Sequence, residues 1–187
     1  MAANAFPAAS LPREKRAARW LWVWRRWWGR AVIALIWAFL VLYPNPLMLA
    51  RSIERVGATP INPAAVQGIA AALPDDPRLI EEAVIHQLVP YALDWQVYGV
   101  PWYFPSTAEV LRDGAGDCES RAVLLGSILT AKDIPYTLKI SLDHIWVDYP
   151  GKQPNVIEND AIVLGEGTGE GFALQMPASA DVWQTVR

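Results

Sequence analysis

Twenty consecutive uncharged residues, 31–50, follow directly on a strongly basic segment, and this junction restricts the chain more than any other feature. Residues 1–30 carry seven basic side chains (Arg13, Lys15, Arg16, Arg19, Arg25, Arg26 and Arg30) against the single acid Glu14, a local charge of +6. The formal charge of the 187-residue chain is −3, so the remainder carries −9. About twenty residues at 1.5 Å each suffice to cross a bilayer. Trp27, Trp28 and the guanidinium groups of Arg25, Arg26 and Arg30 suit the head-group level. The expectation is one transmembrane helix over 31–50, a signal anchor in the inner or plasma membrane. By the positive-inside rule, residues 1–30 form a cytoplasmic Trp-rich segment and residues 51–187 a periplasmic or extracellular domain. A cleaved signal peptide is disfavoured because Leu49-Ala50-Arg51 is a poor cleavage site beside Pro44 and Pro46. A core helix would leave the charge asymmetry unexplained, although Pro44 would interrupt the helix and thirteen strictly apolar residues is short. Trp20 to Trp28 could stack on bases, but the −9 domain opposes a nucleic-acid partner, and membrane lipid along residues 20–50 is the simpler one.

The remaining 137 residues, with 53% hydrophobic and 19% charged residues in the whole chain, have the composition of a folded domain. One cysteine and two histidines exclude an internal disulfide framework and a multi-cysteine zinc site, and neither a metal nor another cofactor is expected. Asn62-Pro63 and Asp76-Pro77 each read as an N-cap followed by proline at the first helical position. They open helices through Leu73 and over 77–89. Pro90 bends or splits the second, with a continuation expected over Tyr91–Tyr98 before Gly99. Residues 100–106 read as a loop and 107–112 as a short helix. Ala122, Leu124, Leu125, Ile128 and Leu129 place one apolar stripe on a helix that begins near Cys118. Three β segments follow: Tyr136–Ser141, His144–Tyr149, and Asn155–Glu158 with Ala161–Leu164, the last two joined as antiparallel neighbours by the Pro150–Pro154 turn. The alternating glycines of Gly165–Gly171 suggest a surface loop.

A cysteine at a helix start meets unsatisfied amide N–H groups and the positive end of the helix dipole, which favour thiolate. Asp117 beside it works in the opposite direction. His144 supplies a base, and the group that orients it must come from across the Pro150–Pro154 turn: Glu158, Asn159 or Asp160. Asp148 shares a face with His144 but stands four residues, roughly 13 Å, along the strand. His86 reads as a helix residue with a satisfied partner.

The ordered set Gly116-Asp-Cys118, Asp133-Ile-Pro135 and His144-Ile-Trp146, within the run Val84 to Tyr149, resembles the core of the transglutaminase-like superfamily. The resemblance implies an α+β, papain-like fold, with helices packed on a small antiparallel sheet. It also implies acyl transfer through a thioester, with Cys118 as nucleophile, His144 as base and then acid, and an acid on the next strand. Val156-Ile157-Glu158-Asn159 fits that last place best, with Glu158 instead of the family's Asp and Asp160 next in line. Trp146 would pack around the site, and Trp102 is the candidate upstream oxyanion donor. The expected function is a membrane-anchored cysteine protease or amidase acting on a peptide or protein outside the cytoplasm. Hydrolysis is favoured over protein-glutamine transamidation, which needs an amine site to outcompete water. An inactive scaffold of the same fold is the alternative from another class.

Overall fold

Helix α1 (Arg13–Leu42) runs thirty residues and stops where Pro44 forbids its continuation, since proline lacks an N–H and disfavours helical torsions at the residue before it. A new helix, α2 (Pro46–Gly57), starts with Pro46 in its first turn. The computed structural model describes residues 13–153, 155, 157–158, 160–169 and 171–174. Residues 1–12 and the candidates Val156 and Asn159 lie outside them. The expected single transmembrane helix over 31–50 is therefore corrected: the uncharged run is divided between two helices. No single helix among the described residues is long and apolar enough to cross a membrane.

The chain separates into two units, Met1–Pro44 and Asn45–Arg187. Within the first, consecutive apolar residues of α1, including Ile33, Leu35, Ile36 and Trp37, are exposed around the helix, Trp37 to 68%.

The second unit is α+β. Asn62 accepts from the Ala65 amide and starts a 3₁₀ turn (Pro63–Val66) that leads into α3 (Gln67–Ala72). Asp76 accepts from the Arg78 amide and starts α4 (Pro77–Ala83). Beyond α4 the helix widens into a π turn (Val84–Leu88) before Pro90. The expected 91–98 helix shrinks to α5 (Asp94–Val97), because Tyr91 and Ala92 are drawn into a parallel bridge with Gly116. Ser106 and Glu109 close a reciprocal capping box on α6 (Thr107–Asp113), and Gly114 ends it in the left-handed conformation.

Helix α7 (Cys118–Ala131) is the centre of the core. Instead of one stripe, every residue from Ala122 to Leu129 is buried, so the helix is enclosed on all sides. Leu124, Ile128 and Leu129 meet Ile80, Val84, Phe104 and Leu138 in one cluster, and each such side chain stabilises the fold by about 1.5–3 kcal/mol. The buried Ser127 hydroxyl is satisfied by the Val123 carbonyl, the Asn62 amide and Thr107. After α7, the Asp133 amide bonds to the Thr130 carbonyl and the Ile134 amide to the Leu129 carbonyl, with Asp133 at φ 56°. This is a Schellman ending, and it explains the step before Ile134-Pro135.

Four antiparallel strands form the sheet: β1 (Thr137–Ile140), β2 (Ile145–Asp148), β3 (Gly165–Thr168) and β4 (Gly171–Leu174), in the order β2-β1-β3-β4. Leu138 pairs with Val147 on one side and Gly167 on the other. Two expectations are corrected here. Asn155–Glu158 is not a strand beside β2, because Asn155 turns the chain: its side chain accepts from the Ile157 amide and its carbonyl from the Glu158 amide. The second half of that expected strand is likewise replaced by a 3₁₀ turn over Asp160–Ile162. The glycine run is a hairpin, not a loop. A Cβ on Gly167 would meet the Gly171 carbonyl oxygen at 2.0 Å, so only glycine permits this close pairing of β3 with β4.

Candidate functional site

Cys118 is the first residue of α7, and the turn that delivers it depends on Gly116. A Cβ there would sit 2.1 Å from Ser120 Oγ, and the Gly116 backbone is held at both ends, its amide by Pro90 O and its carbonyl by Ala92 N. The backbone of Ile145, which opens β2, lies close enough to the Cys118 sulfur to favour its thiolate. The sulfur therefore lies at the head of β2, next to the peptide that joins His144 to Ile145.

His144 closes the tight β1–β2 turn: its amide donates to Ser141 Oγ, and its carbonyl accepts from the Ser141 amide. Its ring stacks on Trp146 at 5.8 Å between centroids and 14° between planes, which fixes the plane of the imidazole. Cys118, His144 and Glu158 line one pocket of ≈ 290 Å³, together with Tyr91, Arg121 and Ile157. Arg121, one turn along α7 from Cys118, donates to the carbonyls of Ile85 and Val89 and so braces the π turn at the pocket wall.

Glu158 reaches the pocket from the Asn155 turn, not from a strand. Its Oε1 accepts from Lys152 Nζ at 2.8 Å, and both side chains are almost fully buried. The other candidate, Asp160, is exposed and paired with Lys139. Asp148 pairs with the same lysine. His86 is exposed on the π turn, away from the lining of this pocket.

The thiol is in a different electrostatic state from the one a helix start suggests. Burial first, and then the Glu119 carboxylate, push the Cys118 thiol well up, and together they outweigh the lowering effect of the Ile145 backbone. Cys118 Sγ donates to Glu119 Oε2 at 2.8 Å, while Trp102 Nε1 donates to Glu119 Oε1 at 2.8 Å. Trp102 is thus engaged with Glu119, which corrects its expected role as an oxyanion donor. Burial, followed for Asp117 by its neighbours Glu119 and Asp94, also raises the carboxyls of Asp94 and Asp117. The ligand atoms of Asp117, Cys118 and Glu119 lie within 4.8 Å of one another. Sequence reasoning missed Glu119, Lys152 and Arg121. Glu119 is adjacent to the cysteine and could have been weighed with Asp117, whereas the other two act through contacts made only by the fold.

The chain is similar to Legionella pneumophila LapG. The two are 20% identical over 67% of this chain and 96% of that chain, with a TM-score of 0.34. No protein-family pattern matches the chain, and no curated protein does either.

Proposed function

We propose that this protein is a transglutaminase-like thiol enzyme that cleaves amide bonds through a thioester, with Cys118, His144 and Glu158 as its reacting set. The observation that carries the reading is the one pocket that Cys118, His144 and Glu158 line together. A thiol held protonated at rest reacts when the base takes its proton as the sulfur attacks. Cys118 Sγ bonds to the substrate carbonyl carbon, and His144 accepts the thiol proton. His144 then delivers that proton to the departing amine, and the amide bond breaks. Water, deprotonated by the same imidazole, releases the acid from the thioester. Glu158 would steady the imidazolium. The exposed apolar length of α1 and its basic N-terminal half support attachment to a membrane surface.

The test is incubation of the full-length protein with a peptide library and mass-spectrometric reading of new N-termini. Cleavage lost in Cys118→Ala and in His144→Ala is the expected result; cleavage that survives both, or is never seen, rejects the reading. The bond between Cys118 and Glu119 specifically favours a second reading, an idle scaffold of the same fold. Full cellular function of Cys118→Ala would select it.

A further inference from the structure

Lys152 stands out among the buried groups that the proposed reaction leaves unused. It lies in the turn after β2, yet its side chain is only 7% exposed. Removing an ammonium from water costs several kcal/mol, and a buried ion pair is poor evidence of added stability. An apolar side chain would fill the same space at less cost, so the charge calls for a reason.

Its three N–H donors meet three acceptors: Val147 O at 2.7 Å, Glu81 Oε1 at 2.8 Å and Glu158 Oε1 at 2.8 Å. That number matches the donor capacity of an ammonium group. Val147 belongs to β2, three residues beyond His144, and Glu81 belongs to α4, where Tyr149 Oη donates to its Oε2 at 2.6 Å. Glu158 lies outside the sheet, so no strand register fixes it. Lys152 ties its carboxylate directly to the strand that follows His144. The lysine occupies Oε1, and Glu158 and His144 line the same pocket.

We propose that Lys152 is the positioning residue that sets the Glu158 carboxylate for His144, in place of the strand register that would otherwise hold the acid. This rests on the thiol-enzyme reading. It also gives the longer Glu a second fixed point, which absorbs its extra methylene relative to Asp.

The experiment is alkylation of Cys118 by iodoacetamide in the full-length protein from pH 5 to 10, with far-UV circular dichroism to confirm folding. The part of the wild-type profile lost in His144→Ala defines the His144-dependent limb. Lys152→Met is expected to lose that limb by about tenfold or more, a part of the roughly 10²–10⁴-fold that a general base contributes. Glu158→Gln should match it, and the double variant should lose no more than either. Glu81→Gln removes the other half of the ionic staple but leaves Lys152 on Glu158, so it should keep the limb. A merely structural lysine would make Glu81→Gln and Lys152→Met behave alike, and that result overturns the proposal, as does a limb retained in Lys152→Met. If Lys152→Met does not fold, Lys152→Gln, which keeps a donor for Val147 O, takes its place with the same two outcomes. A wild-type protein with no His144-dependent limb rejects the thiol-enzyme reading itself, and the positioning role falls with it. That failure is read from wild type and His144→Ala alone, before any Lys152 variant.

Discussion

The Cys118 sulfhydryl donates to the Glu119 carboxylate at 2.8 Å, and this contact holds the thiol in its protonated form. Burial is the larger cause and Glu119 the next. Replacing Glu119 by Gln removes the nearest negative charge while keeping a side chain that can accept from Trp102. The thiol should then titrate lower, and alkylation of Cys118 at pH 8 should accelerate by about tenfold for each unit of that decrease. Asp117→Asn, whose carboxyl is a smaller contributor, should give a weaker effect in the same direction. Stopped-time alkylation read by intact mass checks both, and equal rates in wild type and Glu119→Gln would refute the account.

The site was legible in the sequence where it rests on local chemistry and illegible where it rests on packing. Gly116, Cys118 and His144 could be found because a tight turn, a helix start and a strand start each have short-range signals. The protonation state of Cys118 could not, since it depends on how deeply α7 is buried. The same burial hid the true character of α7, whose enclosure on all sides replaced the expected stripe. Glu158 lines the pocket that Cys118 and His144 share, but it reaches it from a turn and not from the expected strand. Asn155 bonds its own turn, and a local side-chain bond of that kind competed successfully with the β pattern. Glycine alternation misled for a related reason: Gly167 reads as loop chemistry but permits the close pairing of β4 with β3, the strand that covers the second edge of β1.

Glu109 governs the acid stability of the second unit. Burial opposes its charge, but the Ser106 amide and hydroxyl, Tyr103 Oη and Arg55 together lower its pKa from 4.5 to about 2. A carboxyl with a depressed folded value contributes stability that is complete above its unfolded pKa and is lost as pH falls through the folded one. The contribution should therefore be intact above pH 4.5 and fade towards pH 2. Glu109→Gln should cost about 1–2 kcal/mol at pH 7, as loss of a capping box and a charge-assisted contact. It should also flatten the acid side of the curve. Urea denaturation at a series of pH values measures both, and parallel curves for variant and wild type would contradict the assignment.

Asp133 occupies a backbone conformation that favours glycine, at φ 56° in the Schellman ending of α7. An L-residue pays for left-handed torsions, and Asp pays less than most because its side chain bonds locally. Asp133→Gly should raise stability by about 0.5–1 kcal/mol, and Asp133→Val should lower it by more than that. Thermal unfolding of the three proteins distinguishes them. A destabilised glycine variant would mean that the Asp133 side chain contributes more than its backbone strain removes.

Helix α1 exposes apolar residues around its whole circumference from Val32 to Leu42, a stretch that water solvates poorly. The segment before it is basic, with Arg25, Arg26 and Arg30 close to the apolar length and Trp27 and Trp28 between them. Twelve residues from Ala31 to Leu42 cover about 18 Å of helix, short of a hydrocarbon core of about 30 Å. Lipid contact by α1 alone would therefore be insertion to partial depth, with the guanidiniums at the phosphates. The full-length protein should float with vesicles containing anionic lipid. Ile36→Asp with Trp37→Asp should release it from vesicles of any charge, because the apolar contact is lost. Arg25→Glu, Arg26→Glu and Arg30→Glu together should weaken binding to anionic vesicles far more than to neutral ones, and added salt should mimic that change. Flotation that ignores both sets of substitutions would show that α1 is not the attachment.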